Sequence, residues 1–149
     1  MASREAITEY IASLPGVDVL VASREGGAPE VAWGDTFFTY DPEHAGEKFP
    51  FATIVGQDYG DFDNASNLNR PGVFRLNVGV SKATFASLFT RGAQHDFTAL
   101  DQLMPHPVYG PNLWVCVLNP SDATFDSIKP LLAEGHGLAV KRYRPRPRP

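Results

Sequence analysis

The stretch from Val73 to Val80 limits the fold more than any other. Its side chains alternate, with Phe74, Leu76, Val78 and Val80 on one face and Val73, Arg75, Asn77 and Gly79 on the other. A period of two is the mark of a β-strand with one apolar face turned to a core. A chain with such a strand needs partner strands and a layer to cover the apolar face. The flanking segments supply both.

Ser3 caps a helix running to about Leu14, with Ile7, Tyr10, Ile11 and Leu14 on one side, and Pro15-Gly16 stops it. Val17–Ala22, Glu30–Trp33, Thr36–Tyr40 and Phe51–Val55 read as short strands broken by Gly26-Gly27, Gly34-Asp35 and the polar loop 41–50. Residues 57–72 are irregular, with one turn of helix expected near Phe62–Leu68. Ser81 caps a helix over Lys82–Phe89, and Asp96 begins another that reaches Leu103. Leu113–Leu118 is an almost unbroken apolar strand expected to be buried on both faces. Asn119-Pro120-Ser121-Asp122 opens a last helical region that reaches Val140, with a kink or a restart expected at Pro130. Short turns between neighbouring strands favour antiparallel pairing. The expected fold class is α+β: an antiparallel sheet of five or six strands with helices packed on one face, including an N-terminal and a C-terminal helix.

Charge divides the chain in two. Lys and Arg number 13 and Asp and Glu 17, but five of the bases (Lys141, Arg142, Arg144, Arg146 and Arg148) stand in the last nine positions, which hold no acid. The body is therefore strongly acidic, and it is followed by a basic segment in which Pro alternates with Arg. Alternating Pro forbids a helix and favours an extended form. The expected organisation is a single domain over 1–142 and an Arg/Pro tail over 143–149. An acidic body argues against nucleic-acid binding by the domain itself, leaving only weak phosphate contacts through the tail. No apolar run is long enough for a membrane span, and the first residues lack the apolar centre of a signal peptide. A cytoplasmic location is the expectation, with a monomer or homodimer as the assembly.

Several motifs are missing. No phosphate loop, no dinucleotide fingerprint and no Gly-x-Ser-x-Gly elbow is present. Cys116 is the lone cysteine, inside an apolar strand, and reads as a small buried side chain. His44, His95 and His136 share no ligand spacing. Asp58, Asp61 and Asp63 lack the spacing and the closing glutamate of a calcium loop and read as a solvated acidic turn. Neither a metal nor a cofactor is expected.

The candidate site comes from residues that break the packing pattern. His106 is held between Pro105 and Pro107 and reads either as an acid, base or ligand or as an imidazole bonded to nearby backbone. Asp35 beside Gly34 reads either as its carboxylate partner or as a turn cap. Arg75 and Asn77 share a strand face. They read either as a grip for a carboxylate or phosphate, or as a solvated pair. Trp33 and Tyr109 stand at loop–strand borders, where an aromatic body with a polar tip lines ligand pockets.

Three stretches carry a resemblance: Tyr10–Gly16; Trp33-Gly34-Asp35-Thr36-Phe37-Phe38 with Phe49–Thr53; and Phe74-Arg75-Leu76-Asn77-Val78 followed by His106-Pro107-Val108-Tyr109-Gly110 and Trp114. Together they resemble an uncharacterised bacterial family of short proteins, over nearly the whole chain to about Arg142. More distantly, the order of elements resembles the MmcQ/YjbR-like proteins. Those share the helix ending in Leu-Pro-Gly, the Trp-Gly pair before the sheet, and the closing Trp-containing strand and helix. That resemblance implies a CyaY-like α+β fold. DNA binding has been proposed within that group, and the acidic body here departs from it.

The leading expectation is a small non-enzymatic domain that binds a small molecule or a protein partner in a cleft edged by Trp33, Asp35, Arg75, Asn77, His106 and Tyr109. The alternatives are an enzyme using an Asp35–His106 acid/base pair, and nucleic-acid binding through the basic tail.

Overall fold

The alternation at 73–80 becomes the centre of a six-stranded antiparallel sheet. The computed structural model describes residues 1–46 and 49–145. Its elements in chain order are α1 (Arg4–Ala12), β1 (Val17–Val21), β2 (Thr36–Tyr40), β3 (Ala52–Val55), β4 (Arg75–Gly79), α2 (Lys82–Leu88), β5 (Met104–Pro105), β6 (Trp114–Leu118) and α3 (Asp122–Arg142). The strands lie in the order β1-β2-β3-β4-β6-β5, every neighbouring pair antiparallel.

The register sorts side chains into two faces. Ala52 pairs with Val78, Ile54 with Leu76, and Leu76 with Val117, so these residues share one side. There they join Phe38 and Val115 under Ile7 and Ile11 of α1 and Phe125, Ile128 and Leu132 of α3, forming the main apolar core. Ser3, Ser81 and Ser121 cap the three helices, each hydroxyl accepting a backbone N–H three residues on. Thr84 of α2 donates to Glu134 of α3 at 2.6 Å, which ties α2 to the same helical layer. The helices therefore cover one face, as the sequence indicates.

Among the described residues, no helix covers the opposite face. Val55, Met104, Cys116 and Leu118 project there and pack with Leu68 into a second, smaller core, with Tyr59, Val73 and Phe97 against it. The cover consists of irregular segments around 57–72 and 95–103. Arg70 staples them together, its guanidinium donating to the carbonyls of Ser66 and Thr98, each at 3.0 Å.

Three local expectations are corrected, and of the two offered at Pro130 the restart is excluded. Glu30–Ala32 forms a 3-10 turn rather than a strand. Pro29 precedes it with an extended backbone, Ala32 N–H closes on Pro29 O, and Trp33 Nε1 donates back to Ala28 O at 2.9 Å. No helix forms over 96–103. The Asp96 carboxylate is spent on Thr98 N and Oγ1 only two residues on, and Asp101 takes a left-handed φ of 60° and donates its N–H to Leu118 O at 2.7 Å. The end of β6 thus outcompetes the helix for that backbone. Residues 62–68 form no helix: Asp63 bridges back to Tyr59, and Asn67 takes φ 50°. Pro130 neither breaks nor restarts α3, which runs unbroken from Asp122 to Arg142. Phe125, Ile128, Leu132 and Gly135 bury one continuous face on both sides of the proline, and that packing outweighs one missing hydrogen bond. The helix stops at Tyr143, whose backbone is extended (φ −62°, ψ 134°). The rest of the expected Arg/Pro tail, from 146 on, lies outside the described residues.

Two glycines of α3 make opposite predictions. A Cβ on Gly135 would stand 2.7 Å from Val78 Cγ2 and 2.9 Å from the Gly79 carbonyl, so the helix lies on β4 only because that side chain is missing. Gly135→Ala loses about 1–3 kcal/mol to this overlap even after the better helix propensity of Ala is counted. Gly137 meets nothing within 4 Å, so Gly137→Ala gains about 0.5–1 kcal/mol. Urea unfolding of the two variants measures both, and equal signs would contradict this packing.

Candidate functional site

Strand β4 turns Arg75 and Asn77 away from the helices, and the irregular cover leaves them little exposed surface. Arg75 is 1% and Asn77 2% exposed, so the expected solvated pair is corrected to a buried one. A buried guanidinium needs an acceptor for each of its five N–H groups. Nε donates to Asn77 Oδ1 at 2.8 Å. Nη1 donates to Asp63 Oδ1 at 3.1 Å and Ser66 Oγ at 3.0 Å. Nη2 donates to Asp63 Oδ2 at 2.6 Å and meets His106 Nε2 at 3.1 Å. Asp63 therefore belongs to a buried bidentate ion pair and not to a solvated turn. Because four of its five N–H groups are spent on protein oxygens and its charge is paired with Asp63, Arg75 is not the open grip for a carboxylate or phosphate that its strand position suggested. Asn77 completes the row by donating to Thr53 Oγ1 at 3.0 Å, across the β3–β4 register.

His106 stands at the end of this row, on the turn after β5. Its N–H donates to Trp114 O at 2.9 Å, and its own carbonyl accepts from Gly110 N at 2.9 Å. Nδ1 accepts from the backbone N–H groups of Val108 at 3.0 Å and Tyr109 at 2.9 Å. The imidazole thus fixes the turn that leads into β6. Burial, with the Arg75 charge acting in the same direction, pushes its pKa down to about 3 against an opposing pull from Asp63, so the ring is neutral at pH 7.

Arg75, Asn77, His106 and Tyr109 line one cavity of about 550 Å³, together with Asp63, Thr53 and a set of aromatic rings. Phe37, Phe49, Tyr59, Phe62 and Trp114 contribute to the walls, and Arg142 also reaches it from the end of α3. Phe62 is 62% exposed and meets the Tyr109 ring edge-on with centroids 6.1 Å apart.

Two of the six expected residues lie elsewhere. Trp33 does not line the cavity, and its indole is bonded to its own loop. Asp35 is buried, accepting from Gly56 N at 2.9 Å and from the Tyr59 hydroxyl at 2.5 Å. Burial raises its pKa while these two hydrogen bonds oppose the rise. It approaches the cavity only through Tyr59, whose own hydroxyl is pushed up by burial and by Asp35. The expected Asp35–His106 pair is accordingly corrected: the carboxylate beside His106 is Asp63, whose Oδ2 lies 3.9 Å from Nε2.

Sequence reasoning missed Asp63 and Ser66 as partners. A signal existed: an arginine inside an otherwise apolar strand requires a counterion if that face is covered, and the nearest acids precede it in the loop. Cys116 is the buried side chain expected, with burial pushing its thiol up to about 12. Among the described residues, no group of three His, Cys, Asp or Glu side chains is placed to hold a metal ion, and no helix is long and apolar enough to cross a membrane.

Two measurements probe this row. Asp63→Asn keeps the shape but strands a buried guanidinium charge, and should cost about 3–5 kcal/mol in urea unfolding. The apolar double variant Arg75→Met, Asp63→Leu should recover most of that loss, because it buries no charge. In addition, the depressed His106 pKa makes stability fall with acid. Above about pH 6.5 the group contributes no slope. Between 6.5 and about 3 the unfolded chain holds one more proton, so stability drops by up to about 1.4 kcal/mol per pH unit. His106→Gln should lack this part of the slope, and parallel pH profiles for the two proteins would contradict it.

Comparison with known proteins returns one result. No curated protein and no solved structure matches the chain. The profile of one family, described as a family of unknown function (DUF6194), matches residues 2–148. That match spans almost the whole sequence, and the chain belongs to this family.

Proposed function

We propose that the protein is a non-enzymatic domain that binds a small, flat, largely apolar molecule in the cavity on the helix-free face of its sheet. The observation that carries this reading is the composition of that cavity: aromatic walls around a short polar row, within a volume of about 550 Å³. Ligand pockets are commonly apolar concavities of that size with a few converging polar groups. The state of His106 favours binding over acid/base chemistry. Its Nδ1 lone pair is engaged by two backbone N–H groups, Nε2 abuts Arg75, and its pKa near 3 is far from the range of a working general acid or base at neutral pH.

The acid/base alternative loses its basis with the Asp35–His106 pair. Nucleic-acid binding through the tail has no support from the described residues. A bacterial cytoplasmic protein is the setting we propose, and kinship with MmcQ/YjbR-like, CyaY-like folds is proposed on the order of elements and on the Leu14-Pro15-Gly16, Trp33-Gly34 and Trp114 motifs.

An NMR screen of flat ring compounds against the labelled protein tests the reading. Hits should shift the Trp114 indole and the Tyr109 and His106 amides together. Phe62→Ala removes an exposed ring at little cost to folding and should weaken those hits several-fold. Hits that cluster elsewhere, or no hits at all, would overturn the proposal.

A further inference from the structure

We infer that the polar floor of this cavity recognises a neutral carbonyl-type oxygen on a flat ring, held jointly by the Nε2–H of His106 and an Nη2–H of Arg75. The inference rests on the small-molecule reading above and names the chemistry of its ligand.

The argument is a count of protons. His106 Nδ1 faces two backbone N–H groups, from Val108 at 3.0 Å and Tyr109 at 2.9 Å. Both amides point at the ring nitrogen, so Nδ1 carries no proton. A neutral imidazole holds one proton, which must then sit on Nε2. Arg75 Nη2 lies 3.1 Å from Nε2 with its second N–H directed there, the first being committed to Asp63 at 2.6 Å. Two N–H groups facing each other cannot satisfy one another. Moving the proton to Nδ1 would satisfy Arg75 but strand both backbone amides at the turn into β6, which leaves more donors without an acceptor. The arrangement that satisfies all four donors adds one oxygen, with two lone pairs, beside the Nε2–Nη2 pair on its cavity side.

Charge selects the kind of oxygen. The guanidinium is already neutralised by a bidentate carboxylate, and Asp63 Oδ2 lies only 3.9 Å from His106 Nε2. With His106 neutral, the floor has no charge left over. A ligand carboxylate seated there would place a second anion beside Asp63 in a water-poor site, where like charges repel strongly. A ketone or amide carbonyl accepts two donors without adding charge. Trp114 and Tyr109, which line the cavity, then supply apolar surface to the body that carries the carbonyl.

The test begins on the wild-type protein alone. Nitrogen-15 imidazole spectra at neutral pH should show His106 protonated at Nε2 and bare at Nδ1. Three probes of one shape follow: acetylnaphthalene, ethylnaphthalene and naphthoate. The ketone should bind about ten-fold tighter than either other probe, as one hydrogen bond to a charged donor allows, and its binding should shift the His106 Nε2 signal. An Nδ1–H tautomer, or equal affinity for the ketone and the hydrocarbon, would overturn this inference while leaving the pocket reading in place. Tightest binding by the carboxylate would overturn it too, with the pocket retained. Failure of all three probes to bind would remove the pocket reading and this inference with it.

Discussion

The buried ion pair of Arg75 and Asp63 is the interaction on which the helix-free half of the molecule depends. A guanidinium inside a sheet is tolerable only if its charge and its N–H groups are matched, because desolvation costs several kcal/mol per ion. Meeting that demand draws the loop around Asp63 and Ser66 onto the sheet, and the same loop brings Leu68 into the second core. The pair also sets the position of everything beside it. Asn77 is turned by Nε of Arg75, and His106 is met by Nη2. The polar row is therefore one unit, and any ligand in the cavity rests on groups that fold stability already requires.

The two faces of the sheet are covered in different ways. One is closed by α1 and α3 with aliphatic packing so tight that only a glycine fits at position 135 against β4. The other is covered by irregular chain, which fills part of the face and leaves the rest as a cavity. Loops placed by a rigid scaffold are where binding groups usually stand. The aromatic walls and the His106 turn follow that pattern, with the stiff strands β3, β4 and β6 supplying Thr53, Arg75, Asn77 and Trp114.

Legibility in the sequence followed the range of the physics involved. Helix caps at Ser3 and Ser81 were readable because a cap involves residues three apart. The face assignment of β4 was readable because alternation is local. The segment 96–103 was misread because its backbone is decided by a distant partner, the sheet edge at Leu118, whereas 30–32 was misread although its turn closes locally on Pro29. At Pro130 the restart did not occur, since a rule about one missing hydrogen bond yielded to packing along the whole helix. Within the site, Arg75, Asn77, His106 and Tyr109 stood out as exceptions to the pattern, but Asp63 looked like an ordinary loop acid, and Asp35 read either as a turn cap or as the partner of His106.

The sequence by itself determined the α+β class, the antiparallel sheet, the helices at both ends and the acidic body. Each of these follows from periodicity, capping or composition, all of which are properties of short windows. Only the tertiary structure decided which carboxylate meets Arg75, that Asp35 turns to Tyr59 instead of His106, and that the second sheet face encloses a cavity. Those outcomes depend on how far apart in space residues distant in the chain come to lie. A buried charge also states only that it needs a partner. Which acid can reach it is settled by the path of the loop, and that path exists only once the sheet has formed.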